Sequence, residues 1–518
     1  MAPTLPLTLG DREDFARVAA YLRAARYDAP TVCARLGVPD LFAADDLPRD
    51  AIPLPPAADD PLAFLVRTFL LLEPVREAAV RARLDAATRG AFERLGLLAA
   101  GPEGNARSAA VLLYPVDEFH VVSDRHRGAD GQPFAPPADA VFPALFPGTA
   151  RFLRLLPQGK YEEALDLGAG TGIGALVLSR RARRAVAADL TERATHFARF
   201  NRLLNECDNV EAVTGDLYAP VAGCTFDCIV AHPPYVPSPD DAFVFRDGGP
   251  TGERLVRRMI AGLPEALRPG GVFCAVCAAW DTTERPLEQR VRGWLGEHAD
   301  DFDLILGIEA ELDPAGLGER LAGGSGGEAA QWERRFREAG LASYVYGVLA
   351  LSRRASPGTP ATLRTWLGAG ARGADLERVL VMLAQRAAQA AAGARAKALD
   401  TMRPRAAPGL TVHVEDAARD GAQTPAGVIL ATEEPFRSRT RLDSWMLPLV
   451  SAFDGAHTPR QILAALRARR GVPEEFTQDD LHRLLELLLE RGYVDAEPGT
   501  GPARGAGRDP AAIRGPGA

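Results

Sequence analysis

Asp166–Leu167–Gly168–Ala169–Gly170–Thr171–Gly172–Ile173–Gly174 decides how this chain is read. The residues leading into it, Ala164–Leu167, make an apolar strand, and Ala175–Arg181 after it follow a helical pattern. A glycine-rich turn between strand and helix lets a ligand lie against the main chain, where any Cβ would clash. Dinucleotides and other cofactors both use such turns, and Gly170-x-Gly172-x-x-Ala175 satisfies a loose dinucleotide pattern. Alone, the glycine run names no ligand.

Working outward, strand candidates recur at Ala185–Asp189, Val210–Thr214, Phe226–Ala231, Gly271–Ala279, Phe302–Ile308 and Tyr344–Leu351. Helical segments separate most of them, notably Arg193–Asn205, Gly252–Leu267 and Trp332–Ala339. This alternation predicts an α/β domain, a mostly parallel sheet with helices on both faces. Ligands of such sheets sit beyond the carboxyl ends of the strands. Asp189 closes the second strand, where a carboxylate can accept both hydroxyls of a ribose. Asp216 and Leu217 follow the third, placed to receive an exocyclic amine, and the fourth runs into His232–Pro233–Pro234–Tyr235. Bland readings stand beside these: either aspartate could cap the following helix, and a strand-end histidine is often only a hydrogen-bonded structural residue.

In this order the motifs resemble the class I S-adenosylmethionine-dependent methyltransferases, from about Tyr161 to Arg353. They are most similar to the amino-methylating group, whose fourth strand ends in Asn/Asp-Pro-Pro-Tyr/Phe. That group includes the release-factor glutamine methyltransferases and several rRNA and adenine-N6 methyltransferases. Pro147–Gly148–Thr149, Asp247–Gly248–Gly249 and Arg268–Pro269–Gly270–Gly271 also resemble the glutamine enzymes. The resemblance implies a Rossmann-like domain with a seven-stranded, mostly parallel sheet, and S-adenosyl-L-methionine as cofactor. It implies that Asp166, Gly168, Gly170 and Gly172 hold the methionine end, Asp189 the ribose, and Asp216 with Leu217 the adenine. His232, Pro233 and Tyr235 would face the methyl acceptor, with Tyr235 stacking on its planar group.

His232 stands where the family has Asn or Asp. In the family, that side chain and a backbone carbonyl accept the two N–H groups of a planar nitrogen, aiming its lone pair at the methyl group. A neutral imidazole offers one acceptor, and its protonation is adjustable near neutrality. Two readings stay open: His232 as acceptor toward an N–H substrate, with the Pro233 carbonyl supplying the second contact, or as general base toward a hydroxyl.

The flanks give three further segments. Residues 1–138 read as helices followed by a hairpin between Ala109 and Val122, a helical or winged-helix-like module suited to substrate recognition. The catalytic domain spans 139–355, and 356–400 are linker and an Ala-rich helix from about Leu376 to Leu399. Residues 401–497 read as a second winged-helix-like module, with helices at Leu442–Phe453, Pro459–Arg470 and Gln478–Arg491, and 498–518 as a disordered tail. Gly318–Gly327 reads as a flexible surface loop.

With 518 residues, about three domains are expected, and 47% hydrophobic residues exclude wholesale disorder. The formal net charge of −8 lacks the field of a dedicated nucleic-acid binder. Lys160 and Lys397 are the only lysines, so the arginine excess reflects GC-rich coding rather than a nucleic-acid signature. The most apolar stretch, Pro61–Leu72, is broken by Arg67, and no signal peptide is visible, so a cytoplasmic protein with no membrane partner is expected. Cys224, Cys228, Cys274 and Cys277 suggest buried small hydrophobes rather than a metal site, and His120 and His126 read as solvated. The expected activity is N-methylation of a planar nitrogen on a protein side chain. Alternatives are an RNA or DNA base, a small metabolite methylated on O or N, or a cofactor-binding scaffold that has lost catalysis. Oligomeric state is not legible.

Overall fold

The computed structural model describes residues 5–47, 52–100, 105–108, 111–126, 135–240, 242–356, 358–419 and 422–497. The chain forms two compact units, one of residues 1–364 with 371–384 and one of 365–370 with 385–518.

The first unit is organised by strands β1 (Tyr161–Leu167), β2 (Ala182–Asp189), β3 (Val210–Thr214), β4 (Phe226–Ala231), β5 (Leu267–Thr282), β6 (Phe302–Leu312) and β7 (Leu341–Arg353). Ala185–Ala188 and Cys228–Ala231 are fully buried, the continuous apolar runs that strands need when both sheet faces are covered. The spatial order is β3-β2-β1-β4-β5-β7-β6. All pairs are parallel except those of β7, which runs antiparallel to both β5 and β6. From β1 the chain steps one way to β2 and β3; from β4 it steps the other way to β5. The crevice between the carboxyl ends of β1 and β4 is therefore the topological switch point where open α/β sheets bind ligands.

Helices α1 (Pro147–Arg154), α2 (Ile173–Ser179), α3 (Glu192–Leu204), α4 (Arg254–Ala261) and α5 (Leu287–Leu295) flank the strands. On one face Val256, Met259 and Ile260 of α4 and Leu287, Val291 and Leu295 of α5 pack onto Leu165, Val186, Ile229 and Ala275. The two helices repeat apolar residues every three or four positions, so one stripe meets the sheet.

Ahead of the sheet, helices Arg12–Ala24, Ala29–Leu36, Pro61–Leu65, Glu77–Arg83 and Ala86–Arg94 lead into a small antiparallel sheet of Val75–Arg76, Asn105–Ser108 and Leu98–Ala100. The hairpin expected from Ala109 forms as Val111–Val116 paired with Phe119–Asp124, a two-stranded ribbon separate from that sheet, and the Tyr27 hydroxyl of the helical segment donates to its Leu113 carbonyl. Its second strand also meets α3: the Val122 N–H donates to Asn201 Oδ1 at 2.8 Å and the His120 N–H to Asn205 Oδ1 at 2.8 Å.

Two other expectations change. The Gly318–Gly327 stretch is a surface turn only over 322–325: Gly318 sits in helix Pro314–Leu321, and Gly326 starts helix Gly326–Glu338. A Cβ on Gly318 would lie 2.7 Å from the Ala329 carbonyl, so the glycine allows the two helices to touch. The Ala-rich helix divides into Gly373–Ala391 and Arg395–Thr401, with Gly393 between them at φ +63°.

In the second unit, strands Thr411–Arg419, Ala422–Thr432 and Phe436–Leu442 form an antiparallel meander. The helix expected over Leu442–Phe453 shortens to Leu447–Ser451, because Leu442 ends the third strand. Helices Pro459–Ala468 and Gln478–Glu490 start at capping boxes built on Thr458 and Thr477. Leu481, Leu485, Leu488 and Tyr493 fill the core, and Val494–Glu497 pairs with Arg403–Ala406. The expected tail, 498–518, lies outside the described residues. Among the described residues no helix is long and apolar enough to cross a membrane.

Candidate active site

A cavity of about 660 Å³ opens at the switch point. Asp166, Gly168, Gly170, Asp189, Asp216, Leu217, His232, Pro233 and Tyr235 all line it, although the sequence separates them by up to 69 positions. Gly172 does not. Its φ of +79° caps α2, and a Cβ there would meet Ala198 Cβ of α3 at 2.9 Å. This glycine serves helix packing, which corrects its expected place at the methionine end.

Asp166 ends β1 fully buried, its Oδ2 accepting the Ala175 N–H at 2.9 Å from the first turn of α2. Asp189 ends β2 and accepts the Gly170 N–H at 2.9 Å and the Thr191 N–H at 3.2 Å. It thereby staples the glycine loop to the neighbouring strand. The helix-cap reading of Asp189 fails, because Thr191 Oγ1 caps α3 by accepting from Ala194. Burial pushes the Asp166 carboxyl up to about 7, with Asp189 adding to the effect, and burial raises Asp189 as well. Among the described residues neither carboxylate pairs with a cation. Two adjoining carboxylates, Asp166 buried and Asp189 partly so, fit a ligand bearing a cationic group and hydroxyl donors.

Asp216 is half-exposed at the mouth and already accepts from Arg258 Nη2 of α4 at 2.7 Å. Leu217 beside it adopts φ +50°, which turns the chain along the cavity wall.

His232 leaves β4 with its ring stacked on Phe152 of α1, centroids 5.4 Å apart and planes 15° from parallel. Its ring nitrogens make no hydrogen bond among the described residues, so they are free to meet a ligand in the cavity they line. Burial lowers its pKa to about 4, and the Arg151 charge acts in the same direction. The imidazole is therefore neutral and accepting at pH 7.

Beyond it, the Pro-Pro-Tyr segment is held from below. The Tyr344 hydroxyl of β7 donates to the Tyr235 carbonyl. The Val236 N–H donates to Arg246 (3.0 Å), while Gly248 and Ser238 bind Val236 and Gly249 at 2.9 Å each. The Asp247–Gly248–Gly249 motif is thus a brace under the acceptor-facing segment. Gly252 closes the brace at φ +82°, where a Cβ would lie 2.2 Å from the Tyr235 carbonyl oxygen. Gly252→Ala is expected to cost about 2–4 kcal/mol of stability and to displace the Tyr235 carbonyl. A melting curve superimposable on wild type would contradict this.

Residues 143–295 match the family model described as the methyltransferase small domain. A candidate protein N5-glutamine methyltransferase of Methanocaldococcus jannaschii is 34% identical over 23% of this chain and 64% of its own. The release factor glutamine methyltransferase of Moorella thermoacetica is 36% identical over 23% of this chain and 47% of its own. The ribosomal protein uL3 glutamine methyltransferase of Bradyrhizobium diazoefficiens is 29% identical over 29% and 52%. The chain thus spans between 47% and 64% of the length of these relatives. S-adenosylmethionine is the methyl donor of this family, and the cavity fits it: its ammonium and sulfonium charges and ribose hydroxyls match the unpaired carboxylates of Asp166 and Asp189.

The methyltransferase domain also uses residues that no motif announced. Asn201 of α3 is fully buried and its amide donates to the carbonyls of both Val122 and Thr171 at 2.9 Å, tying the ribbon to the glycine loop. The only hint in the sequence is an asparagine on the apolar stripe of a helix. His120 is not solvated: its ring bonds the Tyr27 carbonyl at 2.9 Å and stacks on Tyr27. His126 packs edge-on against Phe146 at 5.2 Å. Cys228, Cys274 and Cys277 are buried and free, Cys224 is exposed and free, and no cluster of three metal-ligating side chains occurs among the described residues.

Proposed function

We propose that this chain is an S-adenosylmethionine-dependent methyltransferase that N-methylates a planar amide nitrogen on a protein side chain. The observation that carries this is the state of His232. It lines the cavity at the strand end where the family's acceptor residue stands, makes no hydrogen bond among the described residues, and burial pushes it toward the neutral form, with the Pro233–Tyr235 backbone braced beside it. An imidazole titrating near 4 is a weak general base but a competent acceptor, which favours an N–H substrate over a hydroxyl. The similarity to glutamine methyltransferases that act on a release factor and a ribosomal protein supports a protein acceptor. On the acceptor side Arg151 and Arg154 share Glu309, and Arg246 pairs with Asp247. Two carboxylates hold three arginines there, which leaves little positive charge for a phosphate backbone.

In this reading Asp166 and the Gly168–Gly170 main chain hold the methionine end, Asp189 the ribose, and Asp216 with Leu217 the adenine. The cofactor supplies an electrophilic methyl group; the protein supplies orientation. His232 and the Pro233 carbonyl accept the two N–H groups, withdrawing the nitrogen lone pair from conjugation, and Tyr235 stacks on the amide plane. We read 139–355 as the catalytic domain. The helix–strand–helix–helix–strand–strand order of residues 61–108 supports a winged-helix-like N-terminal module, with 401–497 a second accessory one. A cytoplasmic location follows from translation-linked acceptors.

The test is incubation with methyl-labelled S-adenosylmethionine and fractionated extract. Label is expected in protein, recovered as N-methylglutamine or a related amide. Label confined to RNA, DNA or small molecules would overturn the reading, and cofactor binding without any labelling would mark a scaffold.

Asp166 makes cofactor binding pH-dependent. Between about 4 and 7 the unliganded protein keeps a proton on Asp166 that the unfolded chain has released, so this group's contribution to stability falls as pH rises through that window. The cofactor's ammonium favours the carboxylate, so binding releases the proton and tightens as pH rises. Affinity is expected to increase about tenfold from pH 6 to pH 8. Calorimetry in buffers of different ionisation enthalpy measures the proton released, and Asp166→Asn should flatten the profile.

A further inference from the structure

Helix α1 brings three side-chain positions to the acceptor side of the cavity. Gly148 lies against the His232 ring, where a Cβ would sit 3.5 Å from Cε1. Phe152, one turn on, stacks on the same ring. Arg151 lies between them in sequence but reaches elsewhere. Its Nη1 donates to the Tyr346 hydroxyl of β7 at 3.0 Å, and its guanidinium carbon is 5.3 Å from that ring's centroid. Tyr346 packs against Tyr235 at 5.5 Å, and Tyr235 lies 6.1 Å from His232. One helix therefore fixes both walls of the acceptor site, His232 directly and Tyr235 through Tyr346.

The charges facing His232 can be named from each element packed around it. Arg151 and Arg154 come from α1, Glu309 from β6, Tyr346 from β7, Tyr235 from its own segment and Asp166 from β1 across the cavity. Arg151 and Arg154 share the single carboxylate of Glu309, the latter at 3.7 Å, so the cluster keeps a net positive charge. A positive neighbour disfavours the imidazolium, which would be a donor and could not accept an amide N–H.

We propose that Arg151 is a positioning residue for methyl transfer: its hydrogen bond fixes Tyr346 and hence Tyr235, and its guanidinium opposes a second positive charge on the neighbouring His232 ring. This rests on the reading of His232 as an acceptor.

The test reads His232 itself, without any acceptor. Heteronuclear NMR of ring-labelled histidine follows all eight imidazoles, and His232→Asn identifies the His232 signal by its loss. Wild-type His232 is expected to titrate near 4. Arg151→Gln should raise the midpoint, whereas Arg151→Lys, which keeps the charge, should leave it near wild type. Equal midpoints in wild type and Arg151→Gln would overturn the electrostatic half. Tyr346→Phe cuts the hydrogen bond and keeps the cation, so the midpoint should stay while the Tyr235 ring signals broaden. A Tyr235 ring as ordered as in wild type would overturn the positioning half, and this arm stands even if Arg151→Gln fails to fold. Failure to label protein with methyl groups would leave all these titrations unchanged, so the two readings fail separately.

Discussion

Alanine in place of His232 is expected to lower methyl transfer by about 10²–10³-fold while S-adenosylmethionine binds within about twofold of wild type. The separation follows from the geometry. His232 ends β4 and takes no part in the hydrogen bonds of the glycine loop, which run through Asp166 and Asp189. Its deletion removes one of two acceptors that turn the amide nitrogen toward the methyl group, an interaction that matters only as the transition state forms. Single-turnover transfer beside calorimetric binding measures both quantities. Retained transfer would remove His232 from the mechanism, and lost cofactor binding would make it structural. His232→Asn then asks what the ring does. Activity kept or raised fits an N–H acceptor, because asparagine restores the family's carbonyl oxygen, whereas a dead enzyme would point to a base.

Asp189→Ala should act on the other half of the site, weakening S-adenosylmethionine binding by about 100-fold or more. Two charge-assisted hydrogen bonds to ribose hydroxyls are worth roughly 1.5–3 kcal/mol each, and part of that is offset because the buried carboxylate no longer has to be desolvated. Asp189 is pushed up by burial in the unliganded protein, so its removal should leave the unliganded melting temperature near wild type or slightly higher. The ligand-induced increase should nearly vanish. At a cofactor concentration 100 times the wild-type Kd, stabilisation of about 2.7 kcal/mol would fall to about 0.4. A wild-type response to cofactor would show that the Gly170 staple, not the ribose, is what Asp189 serves.

The parts of this molecule that were legible in sequence are those written locally. Each strand of the central sheet is a short apolar run, and each expected site residue but Gly172 lines the cavity from a strand end or a tight turn, where position along the chain fixes position in space. Gly172 misled because the same glycine signal serves ligand approach and helix packing, and only the location of Ala198 distinguishes them. The ribbon from Val111 to Asp124 reads as a wing because hairpins carry no label for their partner; the asparagines that claim it lie 79 and 85 positions away. The Arg151–Tyr346 pair spans 195 positions and belongs to no motif, so no local pattern could announce it. Gly318 illustrates the reverse error, since a glycine-rich run reads as slack when it is a close helix contact.

Asn201 bears on whether the enzyme is divisible. Its amide is shared by the ribbon, which precedes the apparent catalytic boundary at residue 139, and by Thr171 in the glycine loop. A chain cut at that boundary would keep Asn201 but lose Val122, replacing two buried hydrogen bonds of its amide, each worth about 1 kcal/mol, with water at the glycine loop. The cost would fall where the cofactor loop is anchored. The catalytic segment is thus not a portable cassette: any fusion or transplant of it must carry the upstream ribbon along, because the loop that receives the cofactor is partly built by residues outside it.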